Sequence, residues 1–347
     1  MYKTSPLILI TLLLSLSSFA EQYLPTSLLM LEKNFSHHVI VAEKSTHSLY
    51  LYSNENGLPA LVKEYPMATG KKAGDKIFQG DHRTPEGIYF FTDFLTHQDL
   101  LDRHGKQGQI YGVGAFVMNY PNPIDQRAGK TGGGIWLHST NDETRIDKGL
   151  DSRGCVVATN SNLIEISKFL ELNRTPIIVV HNMQYLTKTA WLKERSKLND
   201  TLEQWLTGWQ NENTELYFNS YHKEQFFDKF RGNYEQFKQY KRAVFNNAGT
   251  PKVEIEDVSI FRVKDYAVIS FQQIYTSNTI NDIGRKTLYL KQDKYYEWKI
   301  VNETWTKSGI KNEEEAKVAF QPSMRFFKDN DPKSILGADF VKRVENN

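Results

Sequence analysis

Short apolar runs separated by polar turns dominate the first half of the chain. Residues 38–42 and 47–52 alternate or run apolar for strand lengths on either side of Glu43-Lys44-Ser45-Thr46, and predict two strands joined by a turn. Asn54-Glu55-Asn56-Gly57 is a second turn, and residues 61–67 a third strand. Thr84-Pro85-Glu86-Gly87 turns tightly into Ile88-Tyr89-Phe90-Phe91. A further strand over 113–118 is broken by Pro121-Asn122-Pro123, and Ile135-Trp136-Leu137 forms a short central strand that delivers His138. Asn160 or Ser161 caps a helix bearing Leu163, Ile164, Ile166, Phe169 and Leu170. Residues 176–180 are a last, wholly apolar strand. Short strands at close spacing with few helices predict a mainly β domain, sandwich- or barrel-like, over residues 36–183.

The texture then changes. Residues 184–199 turn basic with helical spacing and predict a linker helix. Residues 202–230 predict a helix rich in aromatics, among them Trp205, Trp209, Tyr217 and Tyr221. Strands are expected over 253–262, 266–273, 286–291 and 295–304, several with strict alternation. Helices followed by antiparallel strands predict an α+β domain over 200–310, its sheet curled over a helix. Residues 311–347 form a polar C-terminal tail.

The N-terminus bears on compartment. Lys3, the apolar stretch 7–16 and the small-x-small site Ser18-Phe19-Ala20 form a secretory signal peptide over residues 1–20. The apolar stretch falls short of the ~20 residues a spanning helix needs. Export, with a periplasmic destination, is therefore expected. Leu24, Leu28, Leu29 and Leu31 then predict a helical segment over 21–35. That segment and the second domain are the candidate contacts for a homodimer.

Composition narrows the function classes. A formal net charge of +2 in 347 residues, with no arginine-rich stripe, argues against nucleic acid as a partner. His82, His97, His104, His181 and His222 lack metal-ligand spacing, so no metal is expected, and no diffusible cofactor. Cys155 is the single cysteine. In an oxidising compartment it cannot form an internal disulfide, which leaves a buried filler or a reactive thiol.

The sequence around that thiol favours reactivity. Gly132-Gly133-Gly134 precedes the strand that ends at His138, and Ser152-Arg153-Gly154-Cys155 follows after a polar loop. A thiol attacks a carbonyl as thiolate, and an imidazole supplies the base. Cys155 is the candidate nucleophile and His138 the candidate base. Arg153-Gly154-Cys155 suits a tight turn whose amides stabilise an oxyanion. The carbonyl of Ser139 is the candidate to fix the tautomer of His138, since no acidic residue is well placed for it. Arg153, Trp136 and Ser152 are the candidate substrate contacts. Arg153 reads equally as a binder of a carboxylate or as a salt-bridged structural residue. Asp142 and Arg145 read as solvated loop charges.

Together, residues 39–42, the loop into Thr84-Pro85-Glu86-Gly87, the glycine-rich approach to His138, and Ser152-Arg153-Gly154-Cys155 resemble the L,D-transpeptidase catalytic domain (YkuD-like). That resemblance covers about residues 36–183. It implies a thioester at Cys155, His138 as base, and a peptidoglycan stem peptide cut at the L-to-D bond after its diamino acid. Two positions depart from the usual pattern: Arg153 stands where the family has His, and Val157 where it has Arg. Ser-Arg-Gly-Cys is similar to the cell-shape L,D-carboxypeptidases of helical bacteria, which join this domain to an NTF2-like one. Residues 267–275, 286–290 and 298–301 resemble NTF2-like strands. The resemblance implies trimming of tetrapeptide stems to tripeptides. The alternatives are cross-linking, attachment or detachment of a wall lipoprotein, and a non-catalytic wall-binding scaffold.

Overall fold

The computed structural model describes residues 21–34, 36–247, 252–277, 281–307 and 320–337. The expected signal peptide lies outside these residues. The described chain opens with strands β1 (Tyr23–Pro25) and β2 (Leu28–Met30). An antiparallel meander follows, made of β3 (His38–Glu43), β4 (Ser48–Glu55) and β5 (Leu58–Pro66). Then come β6 (Thr69–Gly70), β7 (Gly87–Thr96), helix α1 (His97–His104) and a 3-10 turn (Gly105–Tyr111). Next are β8 (Gly114–Met118), α2 (Pro123–Arg127), β9 (Trp136–His138) and α3 (Thr144–Asp147). The first half ends with β10 (Leu150–Ser152), β11 (Val156–Val157), α4 (Asn160–Ser167), β12 (Pro176–Val180) and β13 (Tyr185–Thr187).

Eight of these strands form one sheet in the order β11-β9-β8-β7-β12-β3-β4-β5. Its two ends meet. Just past β5, Ala68 exchanges backbone hydrogen bonds of 2.9 and 2.8 Å with Val157 of β11. The sheet thereby closes around a core that includes Ile40, Leu49, Phe91, Phe116, Leu137 and Ile177. Strand β12, apolar throughout, lies parallel to β3 and antiparallel to β7, with all five residues buried. Such a run needs cover on both faces. Ile177 and Val179 fill the closed sheet, while Ile178 and Val180 face outward into a second core.

That second core joins the two halves. Val39, Val41, Ile88, Phe90 and Ile178 pack there against Phe261, Val263, Tyr266, Val268 and Tyr289. The latter belong to a five-stranded sheet in the order β19-β18-β17-β16-β2. The second half comprises α5 (Lys188–Gln210), α6 (Thr214–Asn219), the small hairpin β14 (Phe227–Asp228) and β15 (Gly232–Asn233), and α7 (Tyr234–Asn247). Long strands β16 (Lys252–Val263), β17 (Tyr266–Thr276), β18 (Asn281–Gln292) and β19 (Trp298–Lys307) follow. Trp191, Trp205, Tyr217, Tyr221 and Phe237 fill the space between these helices and the sheet.

Five expectations change. The cap of α4 is Thr159, not Asn160 or Ser161: its Oγ1 accepts the Asn162 amide at 3.2 Å. Of the helical segment expected over 21–35, the described residues 21–34 are not helical. Leu28 pairs with Phe261 and Met30 with Ile260, so β2 completes the second domain's sheet. Leu28 sits in the core between the halves and Leu29 in the core of the second, on opposite faces of one strand. A leucine pattern this short fits either period, and the open edge of β16 decides it. Residues 184–199 are not a linker helix. After β13, α5 runs unbroken for 23 residues, and it buries Trp191, Leu198, Leu202, Trp205 and Trp209. The helix expected over 202–230 stops at Gln210, because Asn213 starts a new one by accepting the amide of Leu216 at 3.0 Å. Finally, residues 320–337 of the polar tail return to the first domain. Met324, Phe326 and Phe327 pack on its core, and a short helix α8 (Pro332–Leu336) follows.

Candidate active site

Strand β9 carries the site. It pairs antiparallel with β8 and parallel with β11, with Leu137 opposite Val156 and His138 opposite Val157. Paired residues share a face, and successive residues change face. Leu137 and Val156 therefore point into the closed core, where both are fully buried. Trp136, His138, Cys155 and Val157 point to the other side. Extended one residue back from β11, the register places Cys155 on the same face as His138, one step away diagonally.

His138 is 2% exposed. Its Nδ1 lies 2.5 Å from the carbonyl oxygen of Ser139. A carbonyl only accepts, so Nδ1 carries the proton and Nε2 is left as the acceptor. Burial pulls the imidazole down to about 4, partly opposed by the Ser139 carbonyl. The Ser139 hydroxyl is spent elsewhere: it accepts the Val113 amide at 2.8 Å and donates to the Tyr111 carbonyl at 3.2 Å.

Cys155 is half-buried. Its Sγ is 3.5 Å from the carbonyl oxygen of Gly134, so the glycine-rich stretch runs beside it. Burial pushes the thiol up to about 11, opposed by the Trp136 amide and by the charges of Arg145 and Lys76. The resting pair is therefore neutral thiol and neutral imidazole. Tyr111 joins the two groups. Its ring stands edge-on to His138 at 4.9 Å, and its hydroxyl is held above the usual phenol range by burial and then by the nearby Cys155.

The turn before the sulfur is tightly specified. Ser152 Oγ accepts the Gly154 amide at 3.0 Å and donates to the Cys155 carbonyl at 2.6 Å. Gly154 has φ of +129°, and a Cβ there would lie 2.8 Å from the Arg83 carbonyl oxygen. Only glycine meets both demands. Arg153 is exposed, and its charge reaches Tyr111 across the cleft. Trp136 is half-buried and packs on Tyr111 at 5.0 Å and His104 at 6.1 Å.

The fold thus gathers His138, Trp136, Cys155 and Arg153 around Tyr111. It turns the side chains of Ser139 and Ser152 inward as framework, and the Gly154 amide into the turn. Tyr111 and Arg145 are functional neighbours the sequence did not reveal. Arg145 is not a solvated charge: Nε binds Asp151 at 2.5 Å, and Nη1 binds Thr140 Oγ1 at 3.1 Å and the Ile110 carbonyl at 3.3 Å. Nothing in a loop sequence marks an Arg–Asp pair six positions apart. Asp142 does stay exposed, where it caps Thr144 at 2.6 Å. A cavity of about 840 Å³, lined by Arg231, Arg285, Lys286 and Glu303 among others, lies away from the sulfur between the two domains.

The chain thus joins a closed β domain, with His138 on β9 and Cys155 one residue before β11, to an α+β domain. The family profile described as the L,D-transpeptidase catalytic domain matches residues 37–179. The Cds6 C-terminal NTF2-like domain profile matches residues 197–304. The chain is 31% identical to Bd1075 of Bdellovibrio bacteriovorus, with a TM-score of 0.68, covering 82% of this chain and 99% of that one. It is 27% identical to the helical cell shape determining protein Pgp2 of Campylobacter jejuni, with a TM-score of 0.62, covering 80% of this chain and 95% of that one. No curated protein is matched. The chain belongs to the peptidoglycan-modifying L,D-transpeptidase/carboxypeptidase family, in the form that carries an NTF2-like second domain.

Proposed function

We propose that the protein is an exported cysteine L,D-carboxypeptidase that removes the terminal D-alanine from tetrapeptide stems of peptidoglycan. The observation that carries this reading is the shared face of Cys155 and His138 under the edge of Tyr111. The similarity to a cell shape determining protein supports the substrate class. Export follows from the reading of residues 1–20 as a signal peptide.

The neutral resting pair sets the order of events. Nε2 of His138 takes the thiol proton as the sulfur attacks the carbonyl between the diamino acid and D-alanine. The tetrahedral oxyanion draws on amides of the Ser-Arg-Gly-Cys turn. Gly154 N–H is engaged by Ser152, so the remaining amides of the turn carry that role. The C–N bond then breaks, His138 returns its proton to the leaving amine, and a thioester remains. Water, deprotonated by the same Nε2, attacks the thioester and releases the tripeptide and the thiol. The exposed Arg153 supports recognition of the terminal carboxylate of the stem, and Trp136 forms a wall of the cleft. With an amine in place of water, the same intermediate yields a cross-link.

Mass analysis of purified muropeptides treated with the protein and with Cys155→Ala tests this. The expected result is conversion of tetrapeptides to tripeptides, lost by at least about a thousandfold in the variant. New cross-links with tetrapeptide retained would overturn trimming in favour of transfer. An unchanged profile with both proteins would overturn catalysis altogether.

A further inference from the structure

Residues 71–87 form a wall beside Cys155, in contact with the turn before it and with the segment that leads into the glycine-rich stretch. The Lys71 amide donates to the Ser152 carbonyl at 2.8 Å, and the Arg83 carbonyl oxygen lies where a Cβ on Gly154 would meet it at 2.8 Å. On the other side, the Gln79 amide donates to Thr131 Oγ1 at 3.1 Å, just before the glycine-rich stretch. The wall is stiffened from within by Asp81, whose carboxylate binds Lys76 at 2.8 Å and the Ile77 amide at 2.7 Å.

Its base is held from the other domain. Lys264 sits at the tip of the β16–β17 hairpin, and its Nζ lies 2.9 Å from Asp75 Oδ2 and 2.9 Å from Glu86 Oε2. Those two carboxylates bracket the wall. Asp75 Oδ1 also accepts the Glu86 amide at 2.8 Å, and Lys44 binds Glu86 Oε1 at 3.0 Å. Two residues past Lys264, the buried Tyr266 hydroxyl accepts the Ile88 amide at 2.7 Å. A Cβ on Gly87 would lie 2.8 Å from that hydroxyl, so the turn and the hairpin are fitted to each other.

We infer that the β16–β17 hairpin, through Lys264 with Tyr266 as its anchor, is a positioning element for the catalytic cleft: the second domain sets the geometry in which Cys155 works. This rests on Cys155 being the nucleophile. An isolated exposed ion pair is worth little. Lys264 differs because it neutralises two carboxylates on one short loop, one of them buried. Three ammoniums (Lys44, Lys130, Lys264) face three carboxylates (Asp75, Glu86, Asp125). Without Lys264 the count is two against three, and Asp75 and Glu86 repel across the base of the wall. The wall then moves off Gly154, water reaches the sulfur, and the thiol ionises more readily while losing its alignment.

The test compares the full chain with Lys264→Met and Lys264→Arg. Three quantities are read: the alkylation rate of Cys155 by iodoacetamide at neutral pH, kcat and KM for D-alanine release from tetrapeptide muropeptides, and the melting temperature. For Lys264→Met, alkylation is expected about three- to tenfold faster and kcat about three- to tenfold lower, with KM within about twofold. The melting temperature should fall by no more than about 3 °C, and Lys264→Arg should restore most of both rates. Wild-type alkylation and kcat in Lys264→Met would overturn the inference, as would a loss that the arginine variant shares. If the unaltered protein releases no D-alanine, the trimming reading fails, and the alkylation comparison still decides the role of the hairpin.

Discussion

Cys155 and His138 are held neutral by burial, which fixes how the rate must depend on pH. With the imidazole near 4 and the thiol near 11, the competent form is the one with His138 unprotonated and Cys155 still a thiol. As pH falls, His138 gains its proton and the base is lost. The expected profile of kcat/KM is flat through neutrality with an acid limb near 4. A limb near the ordinary imidazole value would contradict the burial argument. Alkylation reports the other group: its rate should climb about tenfold per pH unit up to the thiol's raised value. Gly154 gives a second prediction at this scale. Gly154→Ala must adopt φ near +129° and push back the Arg83 carbonyl. Activity should drop by about a hundredfold or more, since small misplacements at a nucleophile are costly. Steady-state kinetics beside a thermal melt would show it.

Among the elements, β2 has the widest consequences. It gives the second sheet its fifth strand, and its carbonyl at Leu28 accepts the indole N–H of Trp191 at 3.1 Å. Leu28 is fully buried where the two sheets meet. Leu28→Ala should cost about 2–5 kcal/mol, read from denaturant unfolding. Below the second sheet, Glu303 on β19 answers Lys286 at 2.9 Å and accepts the Tyr221 hydroxyl at 2.8 Å. Burial lowers Lys286 to about 8 and the cations around Glu303 hold its carboxyl well below the usual range. Glu303→Gln leaves the buried cations without their counter-charge and should destabilise by about 3–5 kcal/mol. Helix α1 begins on a capping box of Thr96 and Asp99, with the Thr96 amide 2.9 Å from the Asp99 carboxylate. A Thr-x-x-Asp pattern at the end of an aromatic strand is visible in the sequence once looked for.

Over the whole molecule, the core shared by β3, β7 and β12 with β16–β18 makes the halves one cooperative unit. A single calorimetric transition is expected, and two resolved transitions would contradict it. Acid should weaken the unit in a particular range. His37 and His38 are packed together, with Nδ1 atoms 2.6 Å apart, and Phe320 from the returning C-terminal segment stacks on His37 at 3.4 Å. Burial lowers His38 to about 3 and lowers His37 as well, against burial-opposing help from Glu171. A histidine whose folded value lies below its unfolded one binds fewer protons when folded. Stability is then full above about 6.5 and is lost as pH falls toward the folded value. Melting temperature should accordingly decline from pH 7 to pH 4, and His38→Phe should flatten that decline.

The strands of the first domain were legible because each is a short apolar run between turn residues, and a pleated, half-buried strand demands just that pattern. The nucleophile and base were legible because a lone thiol and a histidine after a glycine-rich strand are rare residue types in a constrained place. Their shared face was not legible. It follows from parallel pairing of β9 with β11, a register set by the closing of a sheet whose strands come from distant parts of the chain. The same holds for β2, which is a strand only because β16 offers an open edge, and for Tyr111 and Lys264, which gain their roles from neighbours far away in sequence. Local patterning fixed which residues could do chemistry, since side-chain type and periodicity are properties of the chain itself. Long-range pairing decided which of them meet, since only the folded sheet brings separate segments within reach.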